Sequence, residues 1–325
     1  MRALLVALAL LLMPGTAMAQ RAQSSTVALQ ELGAWAQELV AVQQPAMDAY
    51  QRCAPMIREV TTLLGSTDNG RKERALALLP GMRACVADTQ AAAIKTRDGL
   101  NRMRPLPKSA EVFLKVDTGA VLRQSAAAVD GMAKSLGLQV EMLDAVVAGN
   151  QPLAMEKANE ARDLAGASAD GQIALLETLR AAMPMETHKA MFDIRILMTR
   201  AMRMIIVADP DRDTGELSAD LRKIGTEARL AAARLRANWK RESQELRTLV
   251  KQLRDPSRTA MLAALDDAFE TVAMVGDDMG TLLETLSVGR LPAAERIQIL
   301  DALAQSEVRI LNSIRAAGEA SSKVR

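Results

Sequence analysis

Three arginines, Arg195, Arg200 and Arg203, sit in a stretch that is otherwise almost wholly apolar. Met191, Ile194, Met198, Ala201 and Ile205 recur at helical spacing, and Ile196, Leu197, Met202, Met204 and Ile206 cover much of the remaining circumference. A helix apolar nearly all round is a buried helix. A guanidinium on it requires a carboxylate or an anionic ligand, because desolvating the cation alone costs too much. Arg195 and Thr199 share one face four residues apart, and Arg200 and Arg203 share another at three. This set offers recognition of a small anion by Arg195, Thr199, Arg200 and Arg203. The competing expectation is that the arginines pair with acids on neighbouring helices or snorkel to solvent.

Two further constellations carry chemistry. Asp209, Asp211, Asp213 and Asp220 stand at positions 1, 3, 5 and 12 of a calcium loop between two helices. Thr214 occupies the position where such a loop needs glycine, Gly215 comes one residue late, and Asp220 is shorter than the usual bidentate glutamate. The alternative is an acidic turn in which Asp213 or Thr214 caps the next helix, with Glu216 in its first turn. Cys53 and Cys85 are the only cysteines, placed symmetrically about a turn at Asn69. In an antiparallel hairpin they lie at the same height, so a structural disulfide is expected. No C-x-x-C spacing marks a redox pair.

Catalytic signals are poor. His188 is the single histidine, which leaves no histidine-based dyad or metal cluster, and its place near a helix start predicts a partly exposed polar residue. No metalloprotease, nucleophile-elbow, phosphate-loop or dinucleotide motif is present. Binding, without catalysis or a cofactor, is the expectation.

The elements that must position these residues are helices. The 325 residues are 49% hydrophobic, 25% charged and only 2% aromatic, with 19 Met. Scarce aromatics argue against a sheet protein and leave few stacking platforms for bases or sugars. A formal net charge of +2 makes no case for nucleic acid. Turn signals at 65–70, 105–107, 149–152, 183–184, 209–215, 255–256 and 289–292 divide the chain into eight long helices. Short connections make neighbours antiparallel. The expected class is all-α: two tandem antiparallel four-helix-bundle-like units, residues 20–183 and 184–325, after a signal peptide. Gly149 and Pro152 match Gly289 and Pro292 at an offset of 140, as do Ala120 with Ala260, Leu122 with Leu262, Ala133 with Ala273 and Leu143 with Leu283. An offset of 145 pairs Arg58 with Arg203, Gly70 with Gly215 and Leu76 with Leu221. Matched turns at matched spacing suggest an internal repeat.

The stretch Ile194-Arg195-Ile196-Leu197-Met198-Thr199-Arg200-Ala201-Met202-Arg203 resembles the GRQRMLSQRMAK signature of the N-terminal, PilJ-type sensory domain of type IV pili methyl-accepting chemotaxis transducers. That signature is similar in turn to the ligand helix of nitrate-sensing kinases. The resemblance sets Arg195 on the arginine that precedes the signature's Met-Leu, Leu197 on its leucine, Arg200 on the arginine that follows, and Arg203 on its lysine. It implies a periplasmic helical sensory bundle in which Arg195 contacts an anion. Phe192 and Asp193 replace the Gly-Arg start, and Met198-Thr199 replace Ser-Gln. Phe192 fills space the glycine leaves open, and Asp193 adds negative charge.

The N-terminus reads as an export signal: Arg2, an apolar run from Leu4 to Met13, a Pro14-Gly15 break, and the cleavage site Ala17-Met18-Ala19. Residues 1–19 are therefore expected to be removed and the mature periplasmic chain to begin at Gln20. Two functions are expected to compete. One is a sensory or ligand-binding bundle that signals through a separate membrane-bound partner. The other is a structural or interaction bundle whose helices pair with themselves as a homodimer, or with an envelope complex. Intact mass of periplasmic material should show loss of the first nineteen residues and two hydrogens fewer than the dithiol. Free thiols in that material would contradict the expected bridge.

Overall fold

The computed structural model describes residues 22–64, 68–106, 117–208 and 215–322. It is all-α, with no strand among the described residues. The helices are α1 (Ala22–Leu64), α2 (Asn69–Arg102), α3 (Thr118–Val147), α4 (Gln151–Ala182), α5 (Glu186–Val207), α6 (Glu216–Glu242), α7 (Gln244–Leu253), α8 (Pro256–Glu284) and α9 (Ala293–Ser322). No helix among the described residues is long and apolar enough to cross a membrane.

Local chemistry sets the boundaries. Asp68, Asp117, Asn150 and Asp255 each accept a backbone N–H of the first turn that follows, satisfying a donor the helix itself cannot. Pro152 and Pro256 sit in first turns, where a missing N–H costs nothing. Gly149 and Gly289 take positive φ, 70° and 127°, beyond the ends of α3 and α8, a conformation a side chain resists. Among the described residues, one helix beyond the expected eight arises at Ser243. This residue is buried, its Oγ accepts from Arg247 Nε at 3.0 Å, and the chain turns there between α6 and α7.

Each helix packs against the next from α1 to α6, α6 then pairs with α8, and α8 with α9, which returns to touch α1. In the second half α5 contacts α6, α8 and α9. One apolar core runs from Trp35 and Leu39 through Leu175 and Leu179 into α5, α6, α8 and α9, so it is continuous across the turn at Met183. A smaller cluster of Val60, Leu79, Val86 and Leu143 fills the far end of α1–α3. The α6–α8 seam is closed by small residues: a Cβ on Gly276 would come within 3.0 Å of Ala232 Cβ, and one on Gly225 within 3.1 Å of the Gly280 carbonyl.

The offset of 140 is visible in the helices. Shifted by it, the bounds of α3 and α4 fall within three residues of those of α8 and α9. Leu122 and Leu262, Ala133 and Ala273, and Leu143 and Leu283 are all buried. The offset of 145 fares worse, since Leu76 is 53% exposed while Leu221 is fully buried.

Cys53 and Cys85 form the expected disulfide, with Cα atoms 5.5 Å apart. It staples the last third of α1 to the middle of α2, and Thr89 Oγ1 donates to the Cys85 carbonyl at 2.9 Å. A covalent link of this kind stabilises by about 3 kcal/mol through the unfolded chain, and fits an oxidising compartment outside the cytoplasm.

His188 departs from its expected exposure and is 1% exposed. It lies edge-on to Phe269, ring centroids 5.7 Å apart, and Phe269 packs on Trp239 at 4.4 Å. Two residues of spacing from the helix start placed it on the inward face of α5. Nearby, α5 lacks a local side-chain cap; instead Glu242 at the end of α6 accepts from the backbone N–H groups of Glu186 and Thr187, each at 3.1 Å. Burial drives the His188 pKa down to about 4, against a smaller upward pull from Glu242. Its folded value thus lies below its unfolded value of 6.5. Stability from this group is complete above pH 6.5, falls as the pH drops from 6.5 toward 4, and is lost below. The loss amounts to about 3 kcal/mol. Unfolding free energies of wild type and His188→Phe between pH 4 and 7 should differ by a pH-dependent term of that size; parallel profiles would rule the effect out.

Candidate functional site

The apolar helix read from the sequence is α5, and it is buried as expected, with thirteen of its side chains inside. The four candidate anion ligands on it diverge. Arg195 points into the bundle, 1% exposed, and pairs with Glu307 on α9 through Nε and Nη2, the Nε–Oε2 distance being 3.4 Å. Nη1 of Arg195 has no hydrogen-bond partner among the described residues. Thr199 is buried, and its hydroxyl donates to the Arg195 carbonyl one turn back, at 2.9 Å. Arg200 and Arg203 face outward to α4, where they meet Glu177 at 2.8 Å and Asp170. The four therefore do not converge on one pocket, and a carboxylate of the chain itself supplies the charge that Arg195 needs. The requirement for a counter-charge was legible in the sequence; its source, 112 residues further along, was not.

Asp209, Asp211 and Asp213 lie outside the described residues, and so does Thr214. Asp220 is exposed on α6. The described N-cap of α6 is Gly215, with φ of 94° and no side-chain cap. Among the described residues no group of three His, Cys, Asp or Glu is arranged to hold a metal ion.

A groove of about 510 Å³ runs along the outer side of α5, walled by α4 and α6. Asp193, Ile196, Leu197 and Arg200 form its floor at helical spacing. At one end Arg180 of α4 hydrogen-bonds Asp193, and Arg234 of α6 stands 3.6 Å from the same carboxylate. This bond holds the Arg180 guanidinium above its ordinary pKa. At the other end Arg200 pairs with Glu177, and Glu227 of α6 lines the wall without an ion pair among the described residues. Ile196, Leu197 and Leu230 make the middle apolar, and Leu230 is 57% exposed. The floor residues Asp193 and Arg200 are seven apart, about 10 Å along a helix, and so are Glu227 and Arg234 on the antiparallel wall. The groove is thus polarised: two guanidiniums share one carboxylate at the Asp193 end, and at the Arg200 end one guanidinium pairs with Glu177 while Glu227 adds a second carboxylate.

Of these residues only Arg200 was a sequence candidate. Asp193, noted as a departure from the family signature, is the anchor of one end. Arg180, Glu227 and Arg234 lie on other helices; the sole sequence signal was an apolar Leu230 between opposite charges on the same face of α6. A second, smaller cavity beside Trp239 is internally satisfied, since Asp266 accepts from both Trp239 Nε1 at 2.7 Å and Arg247.

Compared with known proteins, the chain matches no family model, no curated protein and no solved structure.

Removing Arg195 leaves the Glu307 carboxylate without its guanidinium in the interior. Arg195→Ala should cost about 3–5 kcal/mol in a denaturant titration. Double substitution to Arg195→Met and Glu307→Leu should restore most of that loss. A neutral Arg195→Ala would show that the pair does not support the fold.

Proposed function

We propose that this chain is an exported, periplasmic ligand-binding bundle of the sensory type, and that its site is the outer groove of α5 with α4 and α6. The observation that carries the proposal is the groove's lining. Charges of both signs stand at separate ends of an apolar floor, on half-exposed side chains that a solute can reach. The resemblance of α5 to the chemotaxis-transducer signature supports the same helix, but not the same face: Arg195 is taken up by Glu307, so anion capture there is not part of the proposal. The role proposed for the groove is binding. Read as a sensor, it hands its ligand state to a membrane-bound partner.

A second reading, a structural bundle that pairs with itself or with an envelope complex, is favoured by a different observation. Val146, Val147, Leu153 and Met155 are all exposed on either side of the α3–α4 turn. The division into two four-helix units by duplication belongs with both readings, and the shared offset of α3–α4 and α8–α9 supports it.

Thermal unfolding of the mature protein with nitrate, spermidine, free amino acids and short peptides separates the two. Binding to the native state raises its melting temperature. A zwitterionic solute should raise it in wild type, and Leu230→Trp, which fills the groove, should abolish the rise while leaving the basal melting temperature within about 2 °C, as for other surface substitutions. Should no solute in the panel produce a rise, the ligand-binding reading fails and the structural one stands.

A further inference from the structure

Resting on that reading of the groove, we infer that its ligand is a short peptide with free ends, about three residues long, bound with its carboxylate toward Arg234 and its ammonium toward Glu227. The ends of the groove carry opposite surplus charge. Asp193 answers one guanidinium, and Glu186, which also acts on Arg180, is itself paired with Lys189 at 2.7 Å, so Arg180 and Arg234 together leave one positive charge in surplus. Arg200 answers one carboxylate, so Glu177 and Glu227 together leave one negative charge. A ligand that complements both ends must be a zwitterion, and its charges must be about 10 Å apart, the rise of seven helical residues.

That separation discriminates among zwitterions. In a free amino acid both charges flank one carbon atom, so it reaches one end only. Three extended residues span about 10 Å between terminal nitrogen and carboxylate. Their side chains then lie over Ile196, Leu197 and Leu230, which favours apolar ones. A volume of about 510 Å³ accommodates such a chain. The existing pairs do not oppose entry strongly. Arg234 is 58% exposed and its 3.6 Å contact with Asp193 is loose, while Glu227 is exposed. Half-exposed pairs of this kind hold their geometry weakly, so the side chains can swing to the peptide's ends.

The probe is the tripeptide alanyl-leucyl-alanine, titrated calorimetrically into the mature disulfide-bonded protein at low ionic strength. Three controls accompany it: the same peptide N-acetylated and C-amidated, free leucine, and sodium nitrate. Saturable binding of the free tripeptide is expected, with no binding of the blocked form. Arg234→Ala and Glu227→Ala should each weaken it about ten-fold with unchanged circular dichroism, since each removes a charged hydrogen-bond partner. Equal binding of blocked and free peptide, or full affinity in either variant, would overturn the inference. If leucine or nitrate binds in an Arg200-dependent way and the tripeptide does not, the peptide assignment is wrong while the groove remains a binding site. If nothing binds, both are wrong.

Discussion

The Arg195–Glu307 ion pair is the constraint around which the second half of the molecule is arranged. Arg195 sits on a helix with thirteen buried side chains, where an unpaired guanidinium would be too costly to keep. Glu307 is presented by α9, the last helix, so α5 and α9 must be adjacent for the charge to be met. The pair also sets the rotation of α5. At 100° per residue, Asp193, Ile196, Leu197 and Arg200 centre roughly 150° around the helix from Arg195. Turning Arg195 inward therefore turns those four away from the core that holds it, toward α4 and α6, with Ile196 and Leu197 covered and Asp193 and Arg200 reaching the surface. One buried interaction thus decides which side of α5 meets solvent.

The charges on that outer side do a different job. Each pair is half-exposed, and exposed pairs contribute little to stability because solvent screens them and ordering two long side chains costs entropy. Their arrangement, positive surplus at one end and negative at the other, is not what folding requires. A folding role would be served as well by pairs of alternating order. The polar groups that do matter for the fold are the more deeply buried ones: Glu242 closing the N-terminus of α5 from α6, and Arg195 with Glu307. Each ties together helices that are neighbours in space, and each is shielded from water enough for its geometry to count.

The apolar framework shows where the sequence offsets carry over into three dimensions. Between α3–α4 and α8–α9 the same offset reproduces helix ends, a positive-φ glycine and three buried core positions. Between α2 and α6 the offset of 145 does not, because Leu76 faces solvent and Leu221 faces the core. Packing accounts for the difference. Leu221 belongs to the main apolar core, on a helix that packs against both α5 and α8, whereas α2 packs against α1 and α3, where a disulfide already holds the hairpin.

Local information in the sequence was enough for the helical class, for most helix ends and for the disulfide. These depend on interactions within a turn or a hairpin: an Asp or Asn accepting first-turn N–H groups, a glycine at positive φ, two cysteines equidistant from one turn. The burial of α5 was legible too, since apolar residues surround it at every angle. The break at Ser243 left no local mark, and His188 was placed on the wrong side of exposure because two residues past a helix start can face either way. Tertiary structure alone decided the partner of Arg195 and the composition of the groove. A helical sequence specifies which residues share a face, but the rotation of that face, and the acids or bases brought opposite it from helices dozens of residues away, are set only when the helices pack.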